Sequence, residues 1–143
     1  MKILSIKTRR RLIGNIGERA AARFLKKKGF RRIIKNYVAK GHEIDIIAES
    51  RELIAFVEVK TVTVGKEDPR RPRPGSLVTP EKQRSIIGAA KYYLATRDEP
   101  KPARMDVIEV FLTDGKHPRV NSINHLEYAF NFNSAFPKRF RKD

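Results

Sequence analysis

The chain has no cysteine, and its 16 acidic residues stand against 32 basic ones. Without cysteine there is no disulfide framework and no thiolate zinc site, which suits a reducing cytoplasm. No apolar run approaches the ~20 residues of a membrane span. The opening MKILSIKTRRR carries too short an apolar stretch for a signal peptide. There is no internal repeat and no break in composition that would mark a second domain. From these absences the chain is expected to be soluble and intracellular, and its 143 residues read as one domain large enough to bury a core.

The scarcity of acid gives a formal charge of +16. An excess of that size favours a polyanionic partner, nucleic acid first and an anionic membrane surface second. It says nothing about fold. The basic residues gather in three places: an N-terminal arm over residues 1–12 that includes Arg9 and Arg10, a Pro/Arg-rich loop GKEDPRRPRPGS, and a basic, aromatic tail over 131–143. The loop, with Arg70, Arg71 and Arg73, cannot continue a strand or a helix and reads as exposed and partly extended. All three segments would grip a phosphate backbone without reading sequence.

The stretch Leu53–Thr61, LIAFVEVKT, organises the rest. A short, β-branched run without Gly or Pro reads as a strand buried on both sides. Glu58 and Lys60 interrupt it, and alternation points both to one face, roughly 7 Å apart. Charges on a core strand are costly unless paired or bound to something. Taken alone, they are either a structural ion pair or part of a site.

Around this strand the pattern predicts a helix from about Leu12 to Lys28, with Ile13, Ile16, Ala20 and Phe24 recurring at helical steps and Gly29 as the stop. Glu18 falls on the border of its apolar stripe. Strands are predicted at Phe30–Val38 and Glu43–Ala48, joined by a tight turn at Ala39-Lys40-Gly41. In the second, Ile44, Ile46 and Ala48 are expected on one side, and Glu43, Asp45 and Ile47 on the other. With Leu53–Thr61 these strands form an antiparallel meander, which brings Asp45 and Glu58 onto neighbouring strands. Two such carboxylates need something positive between them: Lys60, a metal ion, or both.

Thr79-Pro80-Glu81 is a good helix start, and a helix to about Leu94 turns Ile87, Ala90 and Leu94 inward, with Gln83 on the same stripe. Met105–Leu112 is a further core strand with Arg104 and Asp106 polar at its start. A helix between two strands makes a right-handed crossover, so it should run parallel to Leu53–Thr61. Asn124–Phe130 reads as a short helix or strand. His42 is expected to be a turn residue opposite Glu43 and Asp45, and His117 and His125 are isolated.

The order helix, three strands, helix, strand, with Glu18, Asp45, Glu58 and Lys60 able to converge, resembles the restriction-endonuclease-like fold and its Asp…(Asp/Glu)-x-Lys nuclease motif. More closely, the sequence is similar to the bacterial family known as YraN or UPF0102, whose fold also resembles archaeal Holliday junction resolvases. The stretches that carry this are GNIGERAAARFLKKKGF, NYVAKGHEIDIIAE, LIAFVEVKT, TPEKQRSIIGAAKYYL and RMDVIEV, which span most of residues 14–110. His42 and Val62 depart from the family pattern, where a Gly and an Arg are common.

The resemblance implies an α/β fold with a restriction-endonuclease-like core: a mixed sheet, antiparallel meander plus a parallel strand, flanked by helices. It carries a nuclease quartet onto Glu18, Asp45, Glu58 and Lys60, with Glu43 and Gln83 at recurrent polar positions around it. Asp45 and Glu58, as hard oxygen ligands, suit Mg²⁺ or Mn²⁺, and Lys60 suits orientation of a water or stabilisation of the phosphorane. The implied activity is metal-dependent hydrolysis of a phosphodiester in structured or single-stranded nucleic acid, DNA ahead of RNA. A junction cutter would need two sites and hence a homodimer. Two other readings stay open: a non-catalytic nucleic-acid-binding module on the same fold, and a basic adaptor in which Glu58 and Lys60 are only an ion pair.

Overall fold

A computed structural model describes residues 5–66 and 78–132. The first helix, α1 (Ile6–Lys27), begins where the Ser5 side chain accepts a hydrogen bond from the Thr8 backbone N–H. That cap satisfies one of the orphan donors of the first turn. The expected arm is therefore helical from Ile6 onward, a correction to both the arm and the Leu12 start. Apolar periodicity could not see this turn and a half, because its side chains are mostly solvated. At the other end Gly29 takes φ 105°, a conformation that costs a side chain but not glycine.

Five strands follow in sheet order β1-β2-β3-β4-β5. Strand β1 (Arg32–Ala39) and strand β2 (His42–Glu49) close through Lys40 and Gly41, both at positive φ, with Ala39 paired to His42. Two positive-φ residues are what a two-residue hairpin of matching twist requires. Strand β3 (Ile54–Thr63) is antiparallel to β2, and helix α2 (Pro80–Ala95) returns the chain to β4 (Ala103–Leu112), parallel to β3. The last described element, β5 (Val120–Phe130), is a strand antiparallel to β4.

Strand β3 is the centre. Ile54, Ala55, Phe56 and Val57 are completely buried, because helices cover both sheet faces. On one face Phe56 and Ile54 pack with Ile86, Ile87, Ala90 and Tyr93 of α2. On the other, Ala55 and Val57 pack with Ala21, Ala22 and Leu25 of α1. Alternation along the strand thus feeds two cores. Tyr93, facing Phe56 and Tyr37 edge-on, was not part of the expected inner stripe.

The expected facing of β2 is corrected at one point. Ile46 and Ala48 face α1, but Ile44 joins Ile47 on the α2 side. Simple alternation would put Ile44 with Ile46, so the strand turns over between them, at Asp45. Across the hairpin the matching position is Asn36, which sits at φ 52°. The same point marks a fork. Strand β2 pairs with β3 only from Ile46 to Glu49, while β3 continues to Thr63.

Candidate functional site

Asp45 stands at the fork, and its carboxylate replaces the lost ladder bond. Oδ2 accepts the backbone N–H of Val59 at 2.9 Å. This places its carboxylate against Glu58, the neighbour of Val59. Glu58 is 6% exposed. Its Oε1 faces Lys60 Nζ at 3.6 Å and Lys82 Nζ at 3.9 Å. Its Oε2 is buried and accepts no hydrogen bond among the described residues. Burial first, then the charge of Asp45, pushes the Glu58 carboxyl up to about 7, against the pull of Lys82 and Lys60. The Asp45 carboxylate is close enough to share the proton of a neutral Glu58, which adds to the rise.

Glu18 approaches from α1. Gly17, one residue earlier, packs directly on Thr61 of β3, so the helix lies close to the sheet at this level. Glu18 is half-buried, and its carboxyl is raised by burial, then by the charges of Asp45 and Glu43, with Lys35 opposing. The structure therefore brings Glu18, Glu43 and Asp45 into one electrostatic neighbourhood, and sets Glu58 between Asp45 and Lys60. Glu43 is exposed at the rim. Gln83 is half-buried in the first turn of α2, where its Nε2 donates to the Val78 carbonyl at 2.8 Å.

The other expected contacts are less uniform. Arg9 donates to the Gly115 carbonyl, so it braces the turn between β4 and β5, while Arg10 is exposed on α1. Arg70, Arg71 and Arg73, and most of the basic tail, lie outside the described residues. His42 is the first residue of β2 and not part of the turn, a correction to its expected place, and it meets Ser85 Oγ of α2 through Nδ1 at 3.0 Å.

Two residues near the site escaped the sequence reading. Lys82 is placed by the N-cap: Thr79 Oγ1 accepts its backbone N–H at 3.1 Å, which sets the helix phase that turns its ammonium to Glu58. Glu109 is wholly buried on β4, level with Lys60, and accepts a hydrogen bond from Asn124 of β5 at 2.8 Å. The signal that singled out Glu58, a carboxylate within an apolar strand, applies equally to Glu109.

Among the described residues, no three of His, Cys, Asp and Glu gather into a ready cage for a metal ion. Mg²⁺ does not require one, because it keeps waters and takes one or two carboxylates together with substrate phosphates. The buried, undonated Oε2 of Glu58 beside the Asp45 carboxylate fits that pattern of hard oxygen donors.

The Glu58 shift has a testable consequence for the metal-free protein. A carboxyl whose pKa rises from 4.5 to about 7 on folding holds more protons in the folded state between those values. Stability should therefore fall as pH rises through that window and level off above it, by at most about 3 kcal/mol. Glu49 acts in a separate window. Burial would raise its carboxyl, but Lys101 and Arg97 outweigh it and hold the group below 4.5, so its contribution is lost only in more acidic solution. Denaturant titrations in a chelator at pH 5 and pH 7.5 check this: the decline should be largest in the wild type and much reduced in Glu58→Gln. An equal decline in both would assign the pH dependence elsewhere.

A five-stranded mixed sheet between two helices, with an acidic fork and a lysine at its centre, defines an α/β protein with a nuclease-like core. Residues 17–110 match the uncharacterised protein family UPF0102, and the chain belongs to that family. It is 39% identical over 121 residues to a UPF0102 protein of Chlorobium phaeobacteroides (strain BS1), covering 82% of this chain and 93% of that one. A UPF0102 protein of Symbiobacterium thermophilum is 44% identical over 101 residues, 70% of this chain and 82% of the relative. One from Caldanaerobacter subterraneus subsp. tengcongensis is 36% identical over 125 residues, 87% of this chain and 98% of the relative. No described helix is long and apolar enough to cross a membrane.

Proposed function

We propose that the protein is a Mg²⁺- or Mn²⁺-dependent endonuclease that hydrolyses phosphodiesters in structured or single-stranded nucleic acid, DNA ahead of RNA, in the cytoplasm. The observation that carries this is the pair Asp45 and Glu58 at the strand fork, one carboxylate oxygen buried without a donor and two ammonium groups beside it. Asp45 and Glu58 would hold the cation, which when bound neutralises phosphate charge and makes a water more acidic.

The chain's own groups supply the rest. The Val59 N–H fixes the Asp45 carboxylate, so its orientation is set before substrate arrives. Lys60 is half-buried and tethered to Glu58, and its ammonium would stabilise the charge that develops on the phosphorane oxygens. Lys82 and the positive end of α2 add to the same field. Water attack forms a P–O bond as the bond to the leaving oxygen breaks; Glu18, with its raised affinity for protons, would take the proton that the water gives up, and the leaving oxygen would take one from solvent. The excess positive charge would hold the polyanion. A junction substrate would call for two copies of the chain.

One observation favours a second reading, a non-catalytic binding module on the same fold. Lys60 and Lys82 already offset the Glu58 charge without any cation. The two readings part on cleavage of a panel of branched, flapped and single-stranded DNA with Mn²⁺. Cutting by the wild type is expected. If nothing is cut, while binding falls about 10³-fold or more between 50 and 200 mM salt as counterion release requires, the module reading stands. Salt-independent, weak binding would remove both.

A further inference from the structure

A second charged region lies on the α1 side of the sheet, at the end of α1, away from the carboxylate fork. It is a depression of about 520 Å³ between the C-terminal end of α1, the β2–β3 turn and the start of β4. Four cations line it, Lys28, Arg31, Arg51 and Arg104, with Glu52 and Glu127 as the opposing acids. Its volume falls in the range of small-ligand sites.

The cations differ in how firmly they are held. Arg104 is 10% exposed, an unusual state for an arginine, and Asp106 behind it accepts its Nε at 3.0 Å. Asp106 is wholly buried and is pinned in turn. His125, 2% exposed, meets Oδ2 through Nε2 at 2.8 Å, and the Tyr128 backbone N–H donates to Oδ1 at 3.2 Å. His125 Nδ1 lies 2.9 Å from Lys28 Nζ, so the same network also positions the lysine. Arg31 and Arg51 are exposed at the rim.

Two features point to the kind of ligand. Glu127 reaches Lys28 at 3.9 Å and Arg104 at 3.5 Å, long contacts made by an exposed side chain. A carboxylate there offsets the two cations that an incoming anion would use, and it can swing away. Tyr128 is 71% exposed, stacks on the Arg104 guanidinium at 5.5 Å, and holds φ 54°. A large residue in the left-handed region is uncommon, and such strain persists only where the surroundings impose it. Here the buried Asp106 does so through the Tyr128 N–H, which leaves an aromatic ring in solvent beside a basic depression. Exposed aromatics next to cations are how proteins hold single strands without reading sequence, by stacking bases and pairing phosphates.

We propose that this depression is a subsite for single-stranded nucleic acid, in which Lys28, Arg31, Arg51 and Arg104 take a backbone phosphate and Tyr128 stacks a base. It stands apart from the fork, so binding does not depend on catalysis there. The test uses the full chain, a fluorescent oligothymidylate and a chelator, with affinity read by anisotropy and folding by thermal midpoint. Tyr128→Gly should lower affinity about tenfold while leaving the midpoint unchanged or higher, because glycine relieves the positive φ. Arg31→Ala with Arg51→Ala should lower both the affinity and the steepness of its salt dependence. Glu127→Gln should raise the affinity several-fold, as a competing carboxylate is removed. Glu58→Gln should leave binding intact, which keeps this subsite separable from the nuclease reading. Affinities within twofold of wild type for both Tyr128→Gly and the double arginine variant would overturn the proposal. So would a polyglutamate peptide that competes as well as unlabelled oligothymidylate, since the surface would then be one for acidic protein.

Discussion

Glu58→Gln is expected to abolish both cleavage and the stabilisation of the protein by Mg²⁺ or Mn²⁺, whereas Lys60→Ala should abolish cleavage alone. The fork holds the Asp45 carboxylate against the buried Glu58, and burial together with that charge pushes the Glu58 carboxyl up to about 7. A cation that binds the folded state would relieve that repulsion and stabilise by about 2.7 kcal/mol at a hundredfold excess over its Kd. In a domain of this size that is a rise of roughly 5–10 °C in Tm. Glutamine keeps the shape of Glu58 but supplies no anionic oxygen, so the rise should vanish. Lys60 is an ammonium and no ligand, and removing it leaves the fork more negative, so the rise should persist or grow. Loss of a group that stabilises developing charge costs about 10²–10³ in kcat. Cation-dependent stabilisation that survives Glu58→Gln would place the ion elsewhere. Cleavage that survives Lys60→Ala would remove the lysine from the chemistry.

How far this could be read in advance depends on what kind of signal each residue leaves. The buried strand at Leu53–Thr61 is legible because a β-branched run without Gly or Pro has few other solutions, and its two charges stand out against it. The parallel placement of β4 follows from the handedness of crossovers. The fork does not follow from any such rule. Strict alternation assigns Ile44 to the side of Ile46, and nothing in IDII announces that the strand turns over at Asp45. That event is a pairing property, set where β2 leaves β3 and a side chain takes the backbone donor. The Asp106–His125 contact was hidden for a similar reason. The two residues are 19 apart in sequence and meet across β4 and β5 next to a register shift. Lys82 was missed by one position, because the N-cap sets the phase of α2 and apolar spacing fixes it only loosely.

Gly17→Ala should destabilise the protein although alanine is the better helix former. A Cβ built on Gly17 would lie 1.9 Å from Thr61 Oγ1 and 3.0 Å from its Cβ and Cγ2. Thr61 cannot swing aside easily, since its branched side chain has few rotamers and its backbone is locked between α1 and the β3–β4 ladder. The helix must lift from the sheet, at a cost of about 1–3 kcal/mol for such overpacking, set against about 1 kcal/mol of improved helix propensity. Gly14, one turn earlier on the same helix, has nothing within 4 Å of its would-be Cβ. Gly14→Ala should therefore stabilise by up to about 1 kcal/mol, and the pair separates packing from propensity. Thr61→Ala removes Oγ1 and Cγ2, so Gly17→Ala combined with Thr61→Ala should recover much of the loss. Because Glu18 follows Gly17 directly, lifting the helix also draws that carboxyl away from Asp45 and Glu43, and cleavage should fall by more than the loss of folded protein accounts for. Denaturant titrations of the four variants settle the matter: if Gly17→Ala is as stable as Gly14→Ala, the close seating of α1 on β3 is wrong, and with it the route by which Glu18 reaches the fork.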